Sequence, residues 1–402
     1  MSTVVADLEL SAPLPTIALP PDATGALALI RQAGRPVGLV RVPGSARTIV
    51  AAEWQAAIAA QVDLPQRQPS LPAATAPISI VVCTHERPDD LRRCLDALLP
   101  LAAAGHEVLV VDNAPRTPHT AEVAAGYPFR YLLEPRQGLD HARNCGLRAA
   151  HHAIVAYTDD DAVPDAAWAA AIAAPFESAA VGCVTGLVMP LELETPAQEL
   201  FELYCAHRRT FERVVLSGPV VAPATAGVAG MGANMALRRD LALRLGGFDP
   251  RLDGGTPTCS GGDTDMFARV LASGQQIVYT PDALVWHRHR REDEALRQCL
   301  FGYGVGLSSF LTKRLIEAHD WRAAIVGPRW WIGPLVKAGQ RRLRNQPTLP
   351  LGLLLQEAAG MLFGPLRLRQ ATRQQAGADR LTAAYETEIE ANKESAHGRS
   401  RA

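Results

Sequence analysis

Residues 153–161 read AIVAYTDDD, an apolar run that ends in three consecutive aspartates, Asp159, Asp160 and Asp161. A short continuous apolar run of this kind is the pattern of a strand covered on both faces. Carboxylates gathered so closely repel: two like charges about 4 Å apart cost roughly 4 kcal/mol at an effective dielectric near 20. Three of them at a strand end therefore point to a bound divalent cation, and hard oxygen donors favour Mg2+ or Mn2+. A solvated acidic turn is the competing reading, and the buried strand ahead of the aspartates is what favours the metal.

The same pattern repeats upstream. Residues 78–83 (ISIVVC) form an apolar run that ends in Thr84-His85-Glu86-Arg87-Pro88, after which Asp89 and Asp90 open a helical run over 91–99. Residues 108–111 form a second short strand that ends in Asp112-Asn113. Thr117-Pro118 then reads as a cap followed by a first-turn proline. Residues 129–133 read as a third strand and 139–150 as a helix, so that the run before the aspartates is the fourth strand. Strands alternating with helices predict parallel pairing with right-handed crossovers. Ligands in such sheets sit beyond the carboxyl ends of the strands, which makes the residues just after each strand the candidates. No GxGxxG follows the first strand, and neither GxxxxGK[ST] nor GxSxG occurs. Dinucleotide-binding, P-loop and serine-elbow chemistry are thereby set aside.

Three regions are expected. Residues 1–77 read as a small α+β appendage, with strands at 26–30 and 37–42 around the turn Gly34-Arg35-Pro36, a helix at 51–60 and a proline-rich linker over 65–77. Residues 78–292 carry the alternating pattern. Residues 293–402 are helical in pattern and basic, with a polar tail expected to be mobile after Thr382. There Arg341, Arg342 and Arg344 precede an interrupted apolar run over 349–366. That run reads either as a core helix or as one lying along a membrane surface, and it is too broken to span a bilayer.

Of the 402 residues, 48% are hydrophobic and 20% charged, the composition of a globular chain, and the formal net charge of −1 argues against a nucleic-acid partner. The basic residues are almost all arginine: only Lys313, Lys337 and Lys393 are lysine. Seven cysteines, none in a CxxC pair, fit a reducing cytoplasm better than a disulfide framework. Residues 1–15 carry Asp7 and Glu9 without a basic cluster and do not read as a signal peptide.

The ordered set ISIVVCTHERP, EVLVVDNA, QGLDHARNCGL and AYTDDDAVPD resembles the donor half of a family 2 glycosyltransferase of the non-processive, bacterial type. Gly261-Gly262-Asp263-Thr264-Asp265-Met266 resembles that family's acceptor-side acidic motif, and ALVWHRHR, ending at Arg290, its histidine-bearing strand. The resemblance implies the GT-A fold: an α/β domain with a mixed, mainly parallel sheet flanked by helices. It implies an inverting transfer of one sugar from a nucleotide-diphosphate sugar to an acceptor hydroxyl, with Mg2+ or Mn2+, in the building of cell-envelope polysaccharide or glycolipid. Thr84, Glu86 and Arg87 would hold the nucleoside, Glu86 reaching the ribose, and Asp112 would accept from the base. Arg143 and Asn144 would brace the pocket, and Asp160 would meet the ribose or the sugar. Asp159 and Asp161 would form the DxD pair and bind the metal together with His287, with His289 as the alternative. Asp263 would be the base, its other reading being a helix cap, and Asp265 would point elsewhere. The acceptor would be an unidentified hydroxyl compound, lipid-linked if the basic C-terminal region meets the inner face of the membrane. Two departures stand out: Gly262 occupies the place of the family's usual glutamate, and Val326 stands where the QxxRW of processive members has glutamine. UDP, GDP and dTDP donors all stay open. The competing function is a non-catalytic sugar-nucleotide sensor or scaffold with a transferase-like fold.

Overall fold

A computed structural model describes residues 2–44, 47–64, 76–205, 209–218, 220–344 and 346–399, with side chains to residue 380. The proline-rich linker expected over 65–77 lies mostly outside these residues. The N-terminal unit holds β1 (Ser2–Glu9), β2 (Ile17–Ala18), β3 (Ala23–Gln32), β4 (Arg35–Pro43), β5 (Thr48–Ile49) and α1 (Ala51–Gln61). β3 pairs with β1 in parallel and with β4 antiparallel. The β3–β4 hairpin turns on Ala33 and Gly34, both at positive φ (52° and 79°). That is the signature of a two-residue primed turn, whose twist matches the strands. Arg35 and Pro36 thus belong to β4 rather than to the expected turn.

The main unit runs β6 (Ser79–Thr84), α2 (Pro88–Ala103), β7 (Glu107–Asn113), α3 (His119–Ala124), β8 (Arg130–Glu134), α4 (Leu139–Ala149), β9 (Ile154–Asp159), β10 (Ala162–Pro164) and α5 (Trp168–Ala173). It continues through β11 (Val181–Pro190), α6 (Pro196–Cys205), β12 (Val214–Leu216), β13 (Asn234–Arg238), α7 (Arg239–Arg244), α8 (Gly262–Ala272) and β14 (Gln276–His287). Nine strands form one sheet in the order β10-β14-β11-β13-β9-β6-β7-β8, with β12 beside β14. β6, β7, β8, β9, β11 and β14 run one way, and β10, β12 and β13 run against them. The sheet is therefore mixed and mainly parallel, as the resemblance implied.

β6 is buried along its whole length. Its Val81 and Cys83 face one core, which α4 and α8 cover, while Ile80 and Val82 face another, which α2 and α5 cover. α2 puts Leu91, Cys94, Leu95, Leu98 and Leu101 on its buried face, at the spacing of a one-sided helix.

The C-terminal region is α9 (Asp293–Ile316), α10 (Arg322–Leu343) and α11 (Leu351–Arg399). Gly304, Gly306 and Gly302 lie inside α9. A side chain at Gly304 would strike the Glu357 carbonyl of α11; one at Gly360 or Gly364 of α11 would strike Phe301 or Ser308 of α9. The Ser309 hydroxyl donates to the Gly364 carbonyl at 3.0 Å across this seam. Gly304 thus serves helix contact, while Gly302 and Gly306 face Cys259 and Ser260 in the loop before α8. Among the described residues no helix is long and apolar enough to cross a membrane.

Candidate active site

Strand register assembles the site. Thr84 at the end of β6 stands opposite Asp112 of β7, and Cys83 opposite Asp159 of β9, so three strand ends open on one edge. β10 turns back from the aspartates and pairs with β14, with Ala162 opposite His287. That pairing brings His287 beside Asp161 although they are far apart in sequence. His287 Nε2 lies 3.1 Å from Asp161 Oδ1 and 3.6 Å from Asp159 Oδ2. One donor atom from each of Asp159, Asp161 and His287 falls within 4.8 Å of the others, close enough to hold one ion. Two hard carboxylates and an imidazole suit a divalent cation.

The chain's own cations also sit on this acidic end. Arg87 Nη1 is 2.9 Å from Asp161 Oδ2 and 3.4 Å from Asp160 Oδ1, and Arg290 Nη1 is 3.1 Å from Asp161 Oδ2. Burial alone would raise Asp161, but His287, Arg290 and Arg87 hold it well below the ordinary carboxylate range. Burial, and then Asp161, pushes its neighbour Asp160 up to about 7 against the pull of Arg87. Burial alone would lower His287, but Asp161 and Asp159 push it up to about 10. The repulsion seen in the sequence is therefore relieved within the chain, by one histidine and two arginines. His289 turns elsewhere: its Nε2 faces Glu202 at 3.3 Å and its ring stands edge-on to Phe201. Arg288 and Arg291, its neighbours, pair with Asp90, Glu192 and Glu194.

A cavity of about 790 Å3 runs from this cluster to the first turn of α8. Its walls include Thr84, Arg87, Arg143, Asp159, Asp160, Asp161, His287 and Asp263. The Asp263 carboxylate is held by the backbone N–H of Gly232 (2.8 Å to Oδ2) and of Thr264 (2.6 Å to Oδ1). Burial, and then Asp253, raises its pKa, while Arg143 and the two N–H groups oppose the rise. Behind it Arg143 spans Asp140 (2.9 Å) and Asp253 (2.6 Å), and its guanidinium lies over the Phe248 ring. Asp265 points away, as expected, and binds Arg269 (2.8 Å) and Lys313 (2.7 Å).

The place of Gly262 has a steric cause. A side chain there would collide with the buried Asp140 carboxylate. The preceding Gly261 is left-handed at φ 107°. Asp253 and Cys259, in the loop before it, also hold positive φ (72° and 65°), a conformation that costs a non-glycine residue about 1 kcal/mol or more.

Three predicted residues brace the site without lining the cavity. The Glu86 carboxylate accepts from the backbone N–H of Arg116 (2.8 Å) and Thr117 (3.1 Å) and from the Thr117 hydroxyl (3.0 Å). Asp112 is buried and accepts from the Tyr131 hydroxyl at 2.8 Å, and burial raises its pKa. Asn144 brackets the Phe248 backbone with both amide atoms, each at 2.7 Å.

Sequence reasoning passed over Asn113, Asp140 and Asp253. Asn113 lines the cavity and accepts from the Gly138 N–H at 2.9 Å, fixing the turn into α4. Asp140 lies inside QGLDHARNCGL, a stretch already singled out, whereas Asp253 lies in the loop ahead of Gly261. Asp140 and Arg143 stand three apart on one helix, a spacing that pairs them, but nothing in the sequence told that Asp253 would join them.

Residues 79–240 match the family model described as Glycosyl transferase family 2. The match takes in the strand-end loops and the three aspartates but ends before Asp263 and His287. The chain is 28% identical over 232 residues to the pre-mycofactocin glycosyltransferase of Mycobacterium tuberculosis, covering 56% of this chain and 46% of that protein. It thus spans about half the length of that relative. It is 24% identical over 230 residues to glycosyltransferase AglE of Haloferax volcanii, covering 55% of this chain and 70% of that one. Among solved structures, a mannosyltransferase from Pyrobaculum calidifontis in complex with GDP-Man and Mn2+ overlays with a TM-score of 0.45 and 19% identity, covering 77% of each chain.

Proposed function

Because residues 79–240 belong to glycosyl transferase family 2, we propose that the protein is an inverting glycosyltransferase that moves one sugar from a nucleotide-diphosphate sugar to an acceptor hydroxyl. The observation that carries this reading is the shared cavity, with Asp159, Asp161 and His287 on one wall and Asp263 on another. On this reading Asp159, Asp161 and His287 hold Mg2+ or Mn2+. Held there, such a cation supplies Lewis-acid neutralisation of the charge that builds on a departing diphosphate. Arg87 and Arg290, already beside Asp161, donate to diphosphate oxygens. Thr84, Arg87, Arg143 and Asp160 line the donor side of the cavity, and Glu86, Asp112 and Asn144 fix the loops that shape it.

Asp263 takes the proton of the acceptor hydroxyl. Its raised pKa makes it a stronger base than an exposed aspartate, and its two backbone donors hold it in one orientation. A single base opposite the leaving group is the arrangement of one displacement with inversion. A retaining hydrolase would need a second carboxyl group about 5 Å away as nucleophile. The acceptor is an unidentified hydroxyl compound, lipid-linked if the basic C-terminal region meets the inner face of the membrane.

Two variants test the reading. Asp263→Asn should lower turnover by roughly 10²- to 10⁴-fold while donor affinity stays within about twofold. Asp161→Ala should abolish the Mn2+ dependence of nucleotide-sugar binding seen by calorimetry. Full turnover in the first variant would remove the base. Tight donor binding without hydrolysis or transfer in the native protein would favour the sensor.

A further inference from the structure

α11 buries one face and α10 only Ala323 and Ala338, and each leaves an apolar stripe exposed. In α10 and its N-cap, Trp321, Ile325, Ile332, Val336 and Leu343 are exposed, between 50% and 88%. At 100° per residue these five positions fall within about 60° of one another around the helix. In α11, Leu351, Leu355, Leu362 and Leu366 repeat the same spacing and are 47% to 65% exposed. The opposite side of α11 is buried through Leu353, Leu354, Gly360, Gly364 and Leu368. Each stripe is thus one side of an amphipathic helix with nothing packed on it among the described residues. An apolar stripe left in water along a helix marks an interaction surface.

The charge around the stripes indicates what covers them. Residues 321–380 contain ten arginines and lysines but only Glu357 and Asp379 as acids, a surplus of eight in a chain whose net charge is −1. Among the described residues none of these ten forms an ion pair with a carboxylate, and nine of them are exposed. Long basic side chains beside an apolar stripe can reach a headgroup layer while their stems stay among apolar groups. A second copy of the chain would set one basic surplus against another, whereas an anionic bilayer complements it.

We propose that the exposed faces of α10 and α11 seat the protein on an anionic lipid bilayer. This names the surface for the membrane partner of the transfer reading, and it uses none of the cation-binding or base residues. Trp330 of α10 and Glu357 of α11 line the cavity, so the seated helices also wall its far end.

The test is flotation of the full chain with vesicles of phosphatidylcholine alone or mixed with phosphatidylglycerol. The native protein should float with the mixed vesicles, stay behind with the neutral ones, and be released by high salt. Ile325→Glu with Ile332→Glu, and separately Leu362→Glu with Leu366→Glu, should each cut the bound fraction roughly tenfold. Nucleotide-sugar binding, measured without vesicles, should not change in either. The proposal is overturned if the native protein does not float, if it floats equally with neutral vesicles, or if both double variants float normally. A dimer in light scattering that the same variants make monomeric would overturn it in favour of a second copy. None of these outcomes bears on turnover, so a failure here leaves the transfer reading standing, and the reverse holds as well.

Discussion

Asp263 illustrates how one carboxylate is tuned by its neighbours. Burial and the like charge of Asp253 raise its pKa, and Arg143 pulls the other way. A base must be ionised to accept a proton, so turnover should fall as pH drops through this raised value, and the acid limb should lie above that of an exposed aspartate. Asp253→Asn removes the like charge and should shift the limb of kcat/KM to lower pH, with Asp263 more readily ionised. An unmoved limb would show that Asp253 does not act on the base. The sequence pointed to Asp263 through the resemblance of its motif, but not to Asp253. A left-handed loop brings Asp253 to Arg143, and loop paths leave no period to read. The three aspartates were legible because their repulsion follows from adjacency alone. Their relief by Arg87, Arg290 and His287 was only partly so, since it depends on which strand pairs with β10.

At the scale of elements, the α9–α11 seam rests on glycines that let two backbones meet. Gly360→Ala would drive a methyl group into the Phe301 carbonyl. Overpacking of this kind costs about 1–3 kcal/mol, and alanine's better helix propensity returns less than about 1. The variant should therefore lose hydrogen-exchange protection along α11, while β6 and β9 keep theirs; unchanged protection in α11 would mean that the seam tolerates separation. From β6 to β9 the elements of the main unit were legible, with ends shifted by a few residues, whereas those from β10 to α7 were not assigned. Its strands are short apolar runs, and helices such as α2 repeat at three and four. β1 was missed, because STVVADLE mixes apolar and acidic residues and its pairing with β3 is parallel. The helical pattern of α9 was legible, but not what its glycines touch. Gly304 meets α11, about fifty residues further on, and Gly302 and Gly306 meet Cys259 and Ser260; close approach between distant segments has no local signature.

For the whole molecule, the question is what holds the N-terminal unit to the sheet. Arg35 forms a paired contact with Asp282 of β14, with Nε 2.9 Å from Oδ1 and the second amino group on Oδ2. Arg31 reaches Asp165 at 2.7 Å, and Arg41 reaches Glu199 at 3.1 Å. The three bridges differ in worth because they differ in exposure. Arg41 is about half exposed, so solvent screens its pair and leaves at most about 1 kcal/mol. Asp282 is 7% exposed on its side chain, and the Arg35 side chain 17%. Leaving Asp282 charged without its partner should cost roughly 3–5 kcal/mol, whereas removing both charges can be close to neutral. Arg35→Met should therefore loosen the docked unit, seen as faster proteolysis near residue 64 and a lower melting temperature. Arg35→Met combined with Asp282→Leu should recover most of the loss, and Arg41→Met should change little. If the double variant were as unstable as Arg35→Met alone, the attachment would depend on the shape of the bidentate pair rather than on an uncompensated charge. Apolar contact among Leu29, Leu187, Met189 and Leu284, which joins β3 to β11 and β14, would then be too weak to dock the unit by itself.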